Sequence, residues 1–175
     1  MMSLLEILQN RRSVRKYTGE SVSEEQLTAI LQAGLLSVSS RAIRSYELIV
    51  VRDKAALQKM ADCRVGSATM LANADTAIVV IANKERSDVW IEDCSIVMSN
   101  MHLMADSLGL GSCWIQGRLR EALDGKTTEQ YLREILSFPE NYHLEAILSV
   151  GMPLSHGERT ELSDLPMEKI HYEKF

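Results

Sequence analysis

An excess of positive charge is the first thing this sequence lacks: 19 Lys and Arg stand against 24 Asp and Glu, a net charge of −5 at neutral pH. A general nucleic-acid binder is basic over a whole face, so that class is disfavoured from the start. Cysteine is scarce as well. Cys63, Cys94 and Cys113 form no CxxC pair, and no HxxxH pair exists among the four histidines. A structural zinc site needs such spacing, so no metal is expected, and free buried thiols in a reducing compartment are the default reading. No apolar run approaches the roughly 20 residues of a membrane span, and no membrane partner is expected. The opening MMSLLEILQNRR has its charges after the apolar residues, the reverse of a secretory leader, so the expected location is cytoplasmic.

Repeats, low-complexity stretches and interdomain linkers are missing too, and 175 residues suit one domain spanning 1–175. Chemistry supplied by the chain itself is equally thin. His102, His143, His156 and His171 are scattered with no triad pattern, and no pair of carboxylates stands out. No catalytic side chain is assigned. An enzyme of this composition would depend on a bound cofactor.

What is present reads as a mixture of long helices and three or four strands. Ser3 with Glu6, and Ser23 with Gln26, have the spacing of helix-starting capping boxes. The second helix carries Leu27, Ile30, Leu31, Gly34 and Leu35 at helical period. Residues 46–52 and 75–83 read as strands, and Asp53 as the cap of a short helix to about Ala61. Residues 87–111 form the longest helix, capped by Ser87 or Asp88 and stopped at Gly109. A short strand over 112–117, a helix from Thr127 or Thr128 to about Ser137, and a strand over 142–153 follow. The tail from Leu154 to Phe175 has little pattern and is expected to wrap over something. Without regular strand–helix–strand alternation, the class is α+β. The long helix is apolar most of the way round, which suits a core helix or one shared between a core and a subunit interface.

Three stretches could hold a ligand. In LQNRRSVRKY (8–17), Arg11, Arg12, Arg15 and Lys16 crowd together around Ser13. Guanidinium forks and a hydroxyl suit a phosphate or carboxylate; the alternatives are a solvated basic turn paired with surface acids, or a chance basic match to a nucleic-acid tag. In SVSSRAIRSYELIVV (37–51), small hydroxyls and cations lead into a strand and leave backbone N–H groups available. In LGLGSCWIQGRL (108–119), Gly109, Gly111 and Gly117 permit close approach or unusual backbone angles. Trp114 breaks a GxGxxG reading, and Cys113 lies in an apolar strand without a local base, as a structural thiol would.

Together these stretches resemble the nitroreductase family of flavin-dependent oxidoreductases in its short form, over nearly the whole chain. RRSVRKY is similar to the family's R-x-S-x-[RK]-x-[FY] signature. VSSRAIRSYELIVV resembles its serine-bearing loop and following strand, LGLGSCWIQG its glycine segment after the central helix, and ILSVGMP its late strand. The resemblance implies a central, mostly antiparallel sheet flanked by helices, and an intertwined homodimer with C-terminal tail exchange. It implies FMN at two sites shared between subunits, with NADH or NADPH as co-substrate. Arg11 and Ser13 match the phosphate and ribityl contacts, Arg12 a supporting position, and Arg15 the cation beside the flavin ring. Val38, Ser39 and Ser40 match the loop reaching across from the partner subunit, and Ile115, Gln116 and Gly117 the strand end along the ring. Arg159 is the candidate for a second phosphate cation near the C-terminus. Where the family loop often has Asn and Pro-Trp, this chain has Ala42 and Ser45-Tyr46, and residues 63–73 show no match to flavin-contacting positions. The implied activity is ping-pong transfer from NAD(P)H to a small-molecule acceptor: a nitroaromatic, a quinone or free flavin. A flavin-binding homodimeric sensor or storage protein is the alternative, and a small regulatory domain with an anion-binding cluster a third.

Overall fold

Helix starts are set by the side chains just before them. In the computed structural model, which describes residues 2–175, Ser3 caps α1 (Leu4–Asn10) and Ser23 caps α2 (Glu24–Leu35), each closing the reciprocal bond with Glu6 or Gln26. Asp53 caps α3 (Lys54–Met60) through the Ala56 N–H, and Thr127 forms a third capping box with Gln130 at the start of α5 (Thr128–Leu136). These side chains satisfy N–H groups that a first turn otherwise leaves open. The long helix, α4 (Trp90–Ser107), departs from expectation. It starts after Val89 with no side-chain cap, because Asp88 pairs with Arg41 and the Ser87 hydroxyl donates to Asp93. Its end is as expected: Gly109 takes φ +73°, and Leu110 returns its N–H to Ala105.

Four strands, β1 (Tyr46–Val51), β2 (Thr76–Asn83), β3 (Gly111–Gln116) and β4 (Tyr142–Gly151), make one antiparallel sheet among the described residues, in the order β1-β2-β4-β3. All eight residues of β2 are buried, which explains its unbroken apolar run: both faces are covered. On one face Ile78, Val80, Leu148 and Val150 pack with Leu27 and Ile30 of α2 and with Val97, Met98 and Met101 of α4. On the other, Val79, Ile81, Ile115 and Ile147 pack with Leu57 and Met60 of α3, Leu71, and Leu132 of α5. A bulge between Val80 and Ile81 leaves Glu145 as the extra residue on β4. No helix among the described residues is long and apolar enough to cross a membrane.

The sheet positions one more segment. Residues 13–18 run across the ends of β3 and β4: Val14 donates to Ser112 O (2.9 Å), Thr18 to Met152 O (2.9 Å), and Leu154 to Lys16 O (3.0 Å). Gly111 is what admits it. A Cβ there would stand 2.7 Å from the Val14 side chain, so the close approach expected of this glycine is made by the chain itself.

Candidate functional site

Because residues 11–16 leave α1 and immediately pair with β3, their side chains are displayed along one end of the sheet. Arg11, Arg12, Ser13, Arg15 and Lys16 line a cavity of about 520 Å³, closed on its far side by Ser155 and Gly157. Among the described residues no carboxylate is in ion-pair contact with any of these four cations. The solvated-turn alternative, in which surface acids neutralise the run, is therefore not what the chain builds. Four like charges gathered without a counter-charge favour an incoming anion.

The cations do different things. Arg12 is occupied internally: Nη1 donates to the carbonyls of Gln9 (3.0 Å) and Arg11 (2.7 Å), and Nη2 to the Thr160 hydroxyl (2.6 Å). Gln9 in turn accepts the Thr160 N–H (2.9 Å) and donates its amide to Thr160 O (3.0 Å), so the start of the tail is bound to the basic segment. Arg15 donates only to Ser13 O (3.3 Å) and stands between two spaces. The second, about 280 Å³, is lined by Arg15 with Gly66, Ser67, Thr69, Met70 and Asn73. Residues 63–73, which carry no motif in sequence, are thus brought beside the basic segment. Arg11 reaches inward to His102 of α4, with Nη1 2.9 Å from Nε2.

Arg159 does not join this cluster. It pairs with Glu161 and is not part of the cavity lining, while nearby Ser155 and Gly157 supply the wall. Val38, Ser39 and Ser40 lie in the loop between α2 and β1 and line neither cavity. That loop is more tied than its sequence suggests: Asp93 takes the Ser40 N–H (2.9 Å), and the Ser39 hydroxyl takes the N–H of Arg44 (3.1 Å). Arg41, Ala42 and Arg44 all have φ near +50°, the left-handed region that tolerates Asn better than Ala. Position 42 is where the resembled loop often carries Asn.

Ile115 is buried at the end of β3. Gln116 accepts the Trp114 indole N–H (2.9 Å) and donates to the Glu145 carboxylate (3.3 Å). Desolvation holds the Glu145 pKa above the ordinary carboxylate value, and its second oxygen has no partner. Gly117 lines a further cavity of about 300 Å³ with Trp90, His143, Lys84, Arg118 and Leu119. Strand β3 therefore leads from Ser112, which holds the basic segment through Val14, by way of Gln116 to the aromatic cavity's Gly117, about 17 Å at 3.3 Å per residue. The three cysteines are buried and free; burial pushes the Cys63 thiol up to about 12 and raises Cys94 and Cys113 as well, so none is an activated nucleophile. No group of side chains among the described residues could hold a metal.

The chain matches the model of the nitroreductase family over residues 8–65 and 62–152, segments that include the basic run, the 37–51 loop, β3 and β4. It is 45% identical to an FMN-dependent nitroreductase of Clostridium difficile R20291, with a TM-score of 0.95 over 98% of this chain and 99% of that one. A protein of Archaeoglobus fulgidus, provisionally designated an NADH dehydrogenase/NAD(P)H nitroreductase, is 35% identical over the full length of both chains. A solved structure from Parabacteroides distasonis with the same provisional designation is 30% identical, with a TM-score of 0.90 over the whole of both chains. With its antiparallel sheet, its helices on both faces and its basic segment laid across β3, the chain belongs to the nitroreductase family.

Proposed function

We propose that this protein is an FMN-dependent NAD(P)H oxidoreductase whose flavin phosphate is held by Arg11 and Ser13. The observation that carries this reading is the set of cations around one cavity with no carboxylate to neutralise them. The donor set fits a phosphate monoester: guanidinium forks, a hydroxyl and an ammonium, with no acid to oppose a dianion. Bound FMN supplies two-electron chemistry in a ping-pong cycle, with NAD(P)H as donor and a nitroaromatic, quinone or free flavin as acceptor.

Each residue then has a bounded task. Arg11 and Ser13 bind the anion, and Arg12 fixes the segment through Gln9 and Thr160. Arg15, between the two cavities, offers a positive charge to negative charge that accumulates on the bound group during turnover. Ile115, Gln116 and Gly117 provide the strand end along which a flat ring can lie. Val38, Ser39 and Ser40, distant from the cavity lining in their own chain, act on the partner's site in a homodimer.

The dimer reading is supported by apolar side chains that one chain leaves uncovered: Leu4, Leu5 and Leu8 of α1, Leu35 at the end of α2, Leu36 and Val38 after it, and a row along the tail. Three buried free thiols suit a reducing cytoplasm. The region 1–175 acts as one FMN-binding unit in this reading.

The test is the visible spectrum of protein loaded with FMN and freed of excess. Retained flavin bands that bleach with NAD(P)H under anaerobic conditions are expected. Retained flavin that NAD(P)H leaves unbleached would favour the sensor or storage alternative. Arg11→Ala should weaken FMN binding by about 1.5–3 kcal/mol, the worth of one hydrogen bond to a charged group. Unchanged affinity would remove Arg11 from the phosphate site.

A further inference from the structure

Arg11 meets the cavity with its guanidinium already held from behind. Its Nη1 is 2.9 Å from Nε2 of His102, a residue of α4 that is only 6% exposed. Arginine has donors and no acceptor, so Nε2 accepts and the ring's proton sits on Nδ1. That nitrogen is in hydrogen-bond contact with the hydroxyl of Ser112, the β3 residue whose backbone carbonyl takes the Val14 N–H. Arg11 thus fixes the tautomer of a helix residue, and the hydroxyl of a strand residue, accepting from Nδ1–H, holds that ring in place behind the guanidinium. Four residues further along α4, buried Asp106 accepts from Asn10 (3.0 Å) and meets His156 Nε2 (3.1 Å). The same helix face therefore fastens both walls of the cavity, residues 10–11 on one side and the 155–157 stretch on the other. Desolvation and the neighbouring guanidinium hold the His102 ring down to about 4, so at neutral pH it remains an acceptor.

We propose that His102 is a positioning residue of the anion site: held by Ser112, it fixes the Arg11 guanidinium so that its remaining N–H groups face the cavity. This rests on the reading that the cavity holds the FMN phosphate. A free arginine side chain gives up much rotamer freedom on binding, and one already ordered gives up less, so the effect falls on affinity for the anion.

The experiment is a double-mutant cycle on FMN affinity, followed by flavin fluorescence, with inorganic phosphate as the competing ligand. His102→Leu should weaken FMN and phosphate alike by roughly tenfold, the order of one charge-assisted hydrogen bond. Placed on top of Arg11→Ala, the same change should have no further effect, because His102 acts only through that guanidinium. His102→Gln, whose amide can both accept and donate, should recover most of the affinity. Equal losses in both backgrounds would make His102 a packing residue and overturn the inference. If Arg11→Ala weakens FMN and His102→Leu does not, the inference fails while the phosphate site stands. If Arg11→Ala leaves FMN and phosphate binding unchanged, the phosphate site fails and the inference with it. Should His102→Leu not fold, Ser112→Ala serves instead: it releases the ring at Nδ1, and a smaller loss, again absent beside Arg11→Ala, is expected. No loss from Ser112→Ala in the parent chain, with Arg11 intact, would overturn the inference.

Discussion

The beginning and the end of the C-terminal tail are held by different things. Between His156 and Thr160 the chain is tied at both ends: His156 meets Asp106, the Thr160 hydroxyl accepts from Arg12, and the Thr160 backbone bonds to Gln9. From Glu161 onward every residue is exposed, and Leu162, Leu165, Met167, Ile170, Tyr172 and Phe175 display apolar side chains at short intervals. A disordered tail would be poor in such residues. The first half walls the cation-lined cavity of its own chain, and the second leaves its apolar side chains uncovered. In the proposed function one segment would serve ligand and assembly together, with Thr160 as the point where the roles meet.

Removing residues 161–175 should break that comparison most severely. Those apolar side chains are each worth roughly 1.5–3 kcal/mol when fully buried, so the deletion should abolish the dimer while leaving 155–160 in place. Sedimentation of the intact chain should give about twice 19.6 kDa. A truncated chain that still sediments as a dimer would separate the tail from assembly.

The cavity that the anchored half walls should respond to acid instead, through His102 behind Arg11. His102 falls from an ordinary 6.5 to about 4 on folding, mainly by desolvation, so between those values the unfolded chain binds more protons than the folded one. Its contribution is complete above about pH 6.5 and is lost as pH falls toward 4, by up to about 3 kcal/mol. Urea unfolding at a series of pH values should show this slope in the parent and a shallower one in His102→Gln; identical slopes would mean that His102 is not responsible.

Smaller effects separate two adjacent residues. Thr160→Ala removes the acceptor of an Arg12 bond and should cost about 1 kcal/mol. Arg159→Ala breaks only a half-exposed pair with Glu161 and should stay within about 0.5 kcal/mol, in stability and in FMN affinity. Equal effects would mean that the tail's start is not held as described.

How much of this was legible before folding depends on the reach of the interaction. Ser3, Ser23 and Asp53 act within four residues, so their helices start where spacing alone puts them. Ser87 and Asp88 look like equally good caps, but Arg41 and Asp93 take them, and α4 begins two residues later than Asp88. The basic segment was recognisable by charge density, while its proximity to 66–73 was not, because only the two-sided packing of the sheet brings Arg15 there. His102 and Asp106 are four apart on a helix, a spacing common on any solvated face. Only the arrival of residues 10–11 and 156 from distant parts of the chain turns them into a buried polar pair. Arg159 is a candidate from its place along the sequence alone, and in the chain its side chain pairs with neighbouring Glu161.

The bridge between Ser13 and Ser112 has a consequence outside binding. Strand β3 forms one margin of the sheet, and its start at Ser112 would otherwise present unpaired backbone groups there. Such margins invite other chains to add on, and proteins discourage it with charge and short irregular cover. Residues 13–17 provide both, a parallel contact followed by cations that repel a second copy of the same segment. Loosening this cover would make solubility the property that suffers, with aggregation seeded at β3 rather than in the apolar core.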